Sequence, residues 1–300
     1  MKILQFHLPN QGKRVGVLED DQIIDITTPD VTSVLKLLED SVQANRTLEE
    51  SVHSHLKSLC STNRIPFAEL GNQPAPNEPY LLLPIDAPEV YGCGVTYKRS
   101  ASERDVDSTS DIYTRIYFSD RPEIFFKATP ARCATPNDAV TIRRDSELTA
   151  AEPELAFIMG GNGTIVGYSV CNDVSAWDIE RDNPLYLQQS KTYSGCCSFG
   201  PVIATPEDVP DPYNLDLTCR IARNGSTVFE ETINTSSINR KFETLIEHLI
   251  RDNEVPIGTT VSTGTGIMVP NEFALQDNDV VEIEIEKIGV LRNAVRQLGR

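Results

Sequence analysis

The chain has 300 residues, of which 39% are apolar and 24% charged, an ordinary make-up for a globular protein able to bury one large core or a large and a small one. Its net charge of −17 disfavours nucleic acid and anionic membrane, both polyanions. No stretch approaches membrane-spanning length and the opening Met1-Lys-Ile-Leu-Gln lacks a long apolar region, so a cytoplasmic protein whose seven scattered cysteines stay reduced is expected.

In chain order, Lys2–Leu8, Val15–Leu18 and Ile23–Ile26 read as short strands separated by turns. Residues 31–43 and 48–59 carry apolar residues at spacings of three and four, which predicts helices. Asn63 to Pro84 is rich in Pro and Asn and reads as a linker. A small α+β domain over 1–80 is therefore expected ahead of a larger one over 81–300. In that second part, strands are expected over Glu89–Tyr97, Ile124–Lys127, Leu155–Met159, Thr164–Val170, Val202–Ala204, Leu215–Ala222 and Val280–Ile288. Asn224-Gly225 predicts a hairpin, because both turn positions tolerate positive φ. Ser237–Arg251 reads as an amphipathic helix with Phe242, Leu245, Ile246, Leu249 and Ile250 as its stripe. The expected class is α+β, mostly β.

The chemistry concentrates between Ala151 and Ser194. Glu152 and Glu154 flank Pro153 just before the apolar run Leu155–Met159, so they open a strand and point to the same face. Most Glu-X-Glu pairs in so acidic a chain are solvated surface charges. Here the adjoining apolar strand, the proline between the pair and the apolar fence around Asp173 (Gly167, Tyr168, Val170, Cys171) favour a metal site instead. Three carboxylates on neighbouring strand ends make a hard oxygen site suited to Mg²⁺.

These residues resemble the fumarylacetoacetate hydrolase superfamily from about Glu89 to the C-terminus. The resemblance rests on Tyr91-Gly-Cys-Gly-Val-Thr-Tyr97, Phe125-Phe-Lys127, Glu152-Pro-Glu154-Leu, Gly167-Tyr-Ser-Val-Cys-Asn-Asp173-Val, Lys191, Gly200-Pro201, Ser262-Thr-Gly-Thr265-Gly and Ile288-Gly-Val-Leu-Arg-Asn293-Ala-Val, in that order. Arg121-Pro-Glu123-Ile-Phe-Phe-Lys127 and Lys191-Thr-Tyr-Ser-Gly-Cys-Cys-Ser-Phe-Gly-Pro201 point within it to the 2-keto-3-deoxy-D-arabinonate dehydratase branch. The resemblance implies a mixed β-roll catalytic fold, Mg²⁺ on Glu152, Glu154 and Asp173 (Mn²⁺ or Ca²⁺ as substitutes), and a homodimer or homotetramer. One position departs from the family's hydrolases: where they carry a water-activating His three residues before a Glu, this chain has Ser100 and Glu103. A serine hydroxyl is a poor base at neutral pH.

The expected reaction is dehydration of a 2-keto-3-deoxy sugar acid, favouring 2-keto-3-deoxy-D-arabinonate to 2,5-dioxopentanoate. The metal, as a Lewis acid, would stabilise the enolate formed when a C3 proton leaves. Three carboxylates outweigh one Mg²⁺, so an anionic substrate needs further cations, and Lys127 and Lys191 are the candidates. Lys191 also contacts substrate oxygens, Tyr97 and Thr265 supply orienting hydroxyls, and Glu123, Glu103 or neutral Lys191 is the base. From the residues alone, Lys127 would read as a surface lysine after a buried Phe-Phe pair. Two alternatives are an acylpyruvate- or fumarylacetoacetate-type C–C hydrolase and a non-catalytic metal-binding homologue.

Overall fold

The computed structural model describes residues 1–108 and 111–299, with side chains given for all of these except 107 and 108. Strand outweighs helix, and two sheets carry most of it. The larger has the order Asn63–Pro66, Gln22–Asp25, Gly12–Glu19, Lys2–Leu8, Cys197–Ala204, Ile165–Asp173, Pro153–Met159, Thr260–Ser262, Val90–Gly94 and Glu123–Ala128. Neighbours along it are antiparallel, except that Thr260–Ser262 runs parallel to Val90–Gly94. The second sheet has the order Ser226–Asn234, Asp216–Arg223, Val280–Ile285, Gly289–Gln297 and Ala139–Ile142.

Strand parity divides the core. Leu155, Phe157 and Val170 face the second sheet, packing with Leu217, Ile283, Leu291 and Val295. Their neighbours Ala156, Ile158 and Cys171 face the other way, into a cluster with Ile3, Val15 and Val17, covered by Leu37, Leu38 and Val52 of helices Val34–Gln43 and Leu48–Ser58. Because side chains alternate along a strand, Glu152, Glu154 and Asp173 extend this second face beyond its apolar part. The N-terminal strands belong to the same sheet as these residues, through Lys2↔Ala204 and Ile3↔Ile203.

Several elements differ from the sequence expectation, each for a physical reason. Within the stretch expected as a linker, Asn63–Pro66 forms a strand on the sheet edge, where a proline is tolerated. The strand expected to reach Tyr97 ends at Gly94, because Val95 adopts φ 55° and turns the chain. Helices Lys98–Ser108 and Ile112–Phe118 then follow in a region expected to be strands and short connections. The first is polar almost throughout, so it carries no apolar period for a sequence reading to detect. The helix expected over 237–251 runs only from Phe242 to Ile250. Ahead of it, the Asn239 amide bonds the Thr96 carbonyl and Arg240 bonds the Ile116 carbonyl, which holds that segment out of the helix. The Asn224-Gly225 hairpin forms as expected, joining Asp216–Arg223 to Ser226–Asn234 with φ of 52° and 79°. No described helix is long and apolar enough to cross a membrane.

Candidate metal centre and its surroundings

Pro153 opens its strand and stands opposite Asn172, so Glu152 and Glu154 bracket the strand's first residue. The strand is flanked on both sides, and the two carboxylates are 2% and 1% exposed. Asp173 ends the neighbouring strand, tied by its amide to the Glu152 carbonyl at 2.9 Å and 1% exposed. Oxygens of Glu152, Glu154 and Asp173 lie within 4.8 Å of one another. Three buried carboxylates at that spacing are costly unless cations compensate them.

The protein supplies such cations. Lys191 closes the short helix Leu187–Lys191 and is 2% exposed. Its ammonium donates to Glu152 Oε2 at 2.7 Å, Ser175 Oγ at 2.7 Å and Asp173 Oδ2 at 3.3 Å. Lys127 has no exposed surface at all. It pairs with Asp173 Oδ1 at 2.5 Å and donates to the carbonyls of Val174 and Lys191 at 2.8 and 2.6 Å, which uses its three hydrogens on protein acceptors. Burial works against the charge on either lysine, yet the carboxylates, Asp173 foremost, hold both above their ordinary range. Arg104, from helix Lys98–Ser108, reaches Glu152 Oε1 at 2.7 Å, and the Trp177 indole donates to the same oxygen at 2.6 Å.

The two glutamates are consequently unlike. Burial raises Glu152, but Lys191 and Arg104 override it and hold the carboxyl below the usual range. Among the described residues Glu154 faces no cation at such distances, and burial beside Asp173 and Glu152 pushes it up. It is held from the other side by the Ser262 hydroxyl and by the Gly264 amide at 2.7 Å. Gly264 has φ 92°, and a Cβ there would meet Thr96 Oγ1 at 2.1 Å, so only glycine brings that amide so close. An all-oxygen donor set with one carboxylate bonded to no cation among the described residues fits a hard divalent cation such as Mg²⁺.

The remaining expected residues are placed unequally. Glu123 starts strand Glu123–Ala128 opposite Gly94, whose missing side chain makes room: a Cβ there would lie 1.9 Å from Glu123 Oε2. Burial and the nearby Glu180 carboxylate raise Glu123 to about 6. Tyr97 is 2% exposed, its hydroxyl has no hydrogen-bond partner among the described residues, and burial beside Glu154 raises its pKa. Thr265 is 4% exposed in the loop that holds Glu154, and its hydroxyl donates to the Ile267 carbonyl. Glu103 is not brought to the triad; it pairs with Arg99 at 2.7 Å on a half-exposed helix face. The four histidines lie elsewhere: His7 stacks on Tyr80, and His53, His55 and His248 sit on helices Leu48–Ser58 and Phe242–Ile250.

Sequence reading missed Arg104, Trp177, Glu180 and Ser262. Ser262 opens the recognised motif Ser262-Thr-Gly-Thr265-Gly without its hydroxyl having been assigned a role, and Trp177 lies four residues after Asp173; Arg104 and Glu180 carried no such signal. Ser100 is 2% exposed on the same helix as Arg104. Ser100→Ala should leave turnover close to wild type in steady-state kinetics. A loss beyond about a hundredfold, roughly 2.7 kcal/mol of barrier, would put its hydroxyl in the chemistry.

Residues 89–296 match the family described as fumarylacetoacetate (FAA) hydrolase, C-terminal. Over 226 residues the chain is 46% identical to the 2-dehydro-3-deoxy-D-arabinonate dehydratase of Saccharolobus solfataricus, covering 74% of this chain and 76% of that protein. It is 45% identical over 214 residues to a probable 2-keto-3-deoxyxylonate dehydratase of Haloferax volcanii, covering 71% and 74%. A solved structure of 2-keto-3-deoxy-D-arabinonate dehydratase complexed with magnesium and 2,5-dioxopentanoate superposes with a TM-score of 0.83 at 36% identity, over 100% of both chains.

Proposed function

The chain belongs to the fumarylacetoacetate hydrolase family, and from that premise we propose that it is a Mg²⁺-dependent dehydratase of 2-keto-3-deoxy sugar acids, with 2-keto-3-deoxy-D-arabinonate as the favoured substrate and 2,5-dioxopentanoate as product. The observation that carries this reading is the buried Glu152, Glu154 and Asp173 triad compensated by lysines, with no histidine beside it among the described residues. Bound by the triad, Mg²⁺ would supply Lewis-acid stabilisation of the negative charge that grows on a 2-oxo acid as its C3 proton leaves.

The chain's own groups do the rest in this reading. Lys191 offsets the substrate's charge, and the longest of its three bonds, 3.3 Å to Asp173 Oδ2, is the one that gives way when its ammonium turns to the substrate's oxygens. Lys127, whose hydrogens all go to Asp173 and two carbonyls, positions Asp173 from behind instead of touching substrate. Tyr97 and Thr265 orient the bound acid. Glu123 takes the C3 proton and returns it to the hydroxyl leaving C4, which departs as water; removal of a C5 proton and reprotonation at C3 give the C4=C5 enol, which becomes the aldehyde by gaining a proton at C4 and losing the proton of its C5 hydroxyl. Glu123 serves this role better than Glu103, whose carboxylate is occupied by Arg99. Seven free thiols support a cytoplasmic setting, and exposed Phe118 and Leu185 support a homo-oligomer that covers them.

The decisive experiment supplies a panel of 2-keto-3-deoxy sugar acids with Mg²⁺ and measures semialdehyde formation. Rapid formation from the pentonate, abolished by EDTA, is expected; hydrolysis of an acylpyruvate without dehydration would overturn the reading. The Glu123 assignment predicts a pH profile as well. A base must be ionised, so kcat/KM should fall about tenfold per pH unit below the group's pKa of about 6 and level off above it. Loss of that acid limb in Glu123→Gln, together with most of the rate, is the check.

A further inference from the structure

We propose that Glu180 reads the hydroxyl-bearing tail of the substrate and so selects polyol 2-oxo acids over those with an apolar or carboxylate tail. The inference rests on the 2-oxo-acid reading above. Glu180 lies on helix Trp177–Asp182, three residues after the tryptophan that bonds Glu152, so both side chains lie on one helix face. It is 4% exposed. One carboxylate oxygen accepts from Arg104, whose other arm reaches Glu152, so a single guanidinium separates Glu180 from the metal ligands. The other oxygen, Oε2, has no hydrogen-bond partner among the described residues. A buried, half-satisfied carboxylate is costly, and a donor that completes it is favoured correspondingly.

The space beside it has the right size for such a donor. Arg104, Tyr113, Trp177, Glu180, Arg181 and Met268 enclose a cavity of about 10 Å³, room for one hydroxyl or water. Glu180 also lines a cleft of about 330 Å³ together with Glu123, large enough for a small acid. A 2-oxo acid held by its oxo end at the triad would send its far carbons toward Glu180, which one guanidinium links to Glu152. A terminal hydroxyl can enter the small cavity and donate to Oε2. A carboxylate tail is too large for it and would meet a carboxylate already there. The two arginines do not reverse this preference, because Arg104 is shared between Glu152 and Glu180, and Arg181 is stacked 5.0 Å over the Trp177 ring.

The test uses unreactive analogues, so it does not depend on turnover. Calorimetry on the Mg²⁺-loaded protein compares 5-hydroxy-2-oxopentanoate, 2-oxopentanoate and 2-oxoglutarate. The wild type should prefer the hydroxyl-tailed acid by at least about tenfold, as a bond to a charged acceptor allows. Glu180→Gln should narrow that ratio and Glu180→Ala should erase it. A wild type without the preference, or variants that weaken all three acids equally, would overturn the proposal; the latter would mean that Glu180 merely supports the site through Arg104. Discrimination in binding without dehydration of the pentonate would overturn the proposed function and leave this inference standing, while dehydration without discrimination would do the reverse.

Discussion

Glu154→Gln should lower turnover by at least about a hundredfold and weaken Mg²⁺ binding, since removing a charged ligand disables the Lewis acid. The substitution keeps the side chain's size. It also keeps one oxygen for the Ser262 hydroxyl and the Gly264 amide, both of which donate to Glu154 Oε2, so the loop Ser262–Gly266 has no cause to move. Among the three ligands Glu154 is the informative one, because no cation of the described residues bonds it and burial beside Asp173 and Glu152 works against its charge until a metal arrives. Calorimetric titration with Mg²⁺ and steady-state kinetics together decide the matter. Wild-type turnover in this variant, or full activity of the wild type in EDTA, would remove the metal from the reaction.

Lys191→Met should act in the opposite sense on the metal. The ammonium lies 2.7 Å from Glu152 and 3.3 Å from Asp173 in a site with almost no solvent. Methionine fills much of the volume but leaves both carboxylates short of their counter-charge. Breaking a buried pair in this way costs about 3–5 kcal/mol, so the metal-free variant should unfold at markedly lower denaturant concentration. Saturating Mg²⁺ should restore more stability to the variant than to the wild type, and Mg²⁺ affinity should hold or rise because a competing cation has gone. Substrate binding should weaken, since an anion then enters a more negative site, and turnover should fall with the loss of a donor to the developing charge. Unchanged kinetics would reduce Lys191 to a structural lysine. Lost Mg²⁺ binding would mean that the site had collapsed.

The contrast between these two variants separates what local pattern determines from what folding decides. The placement of Glu152 and Glu154 on one face at a strand start was legible in Glu-Pro-Glu and the apolar run behind it, because strand parity is a property of consecutive residues. The hairpin at Asn224-Gly225 and the helices near residues 34–43 and 48–58 were legible for the same reason: turn chemistry and apolar period act over a few positions. Motif order carried the family, and with it the expectation that Lys191 belongs to the site.

Other features depended on tertiary structure alone. Lys127 follows Phe125-Phe126 and from local pattern could have been a surface lysine; it is fully buried because its strand lies at the end of the sheet where Asp173 and two carbonyls converge. Glu103 and Arg104 are neighbours on one polar helix, yet a helix turns about 100° per residue, so Glu103 goes to Arg99 at the surface while Arg104 goes inward to Glu152 and Glu180. Nothing in a run of charged residues reveals that division, because charge compensation is settled by whichever groups the fold brings within a few ångströms, often from a hundred residues away, as with Ser262 and Glu154. Parity and period are written in consecutive residues; electrostatic partnership belongs to the assembled fold.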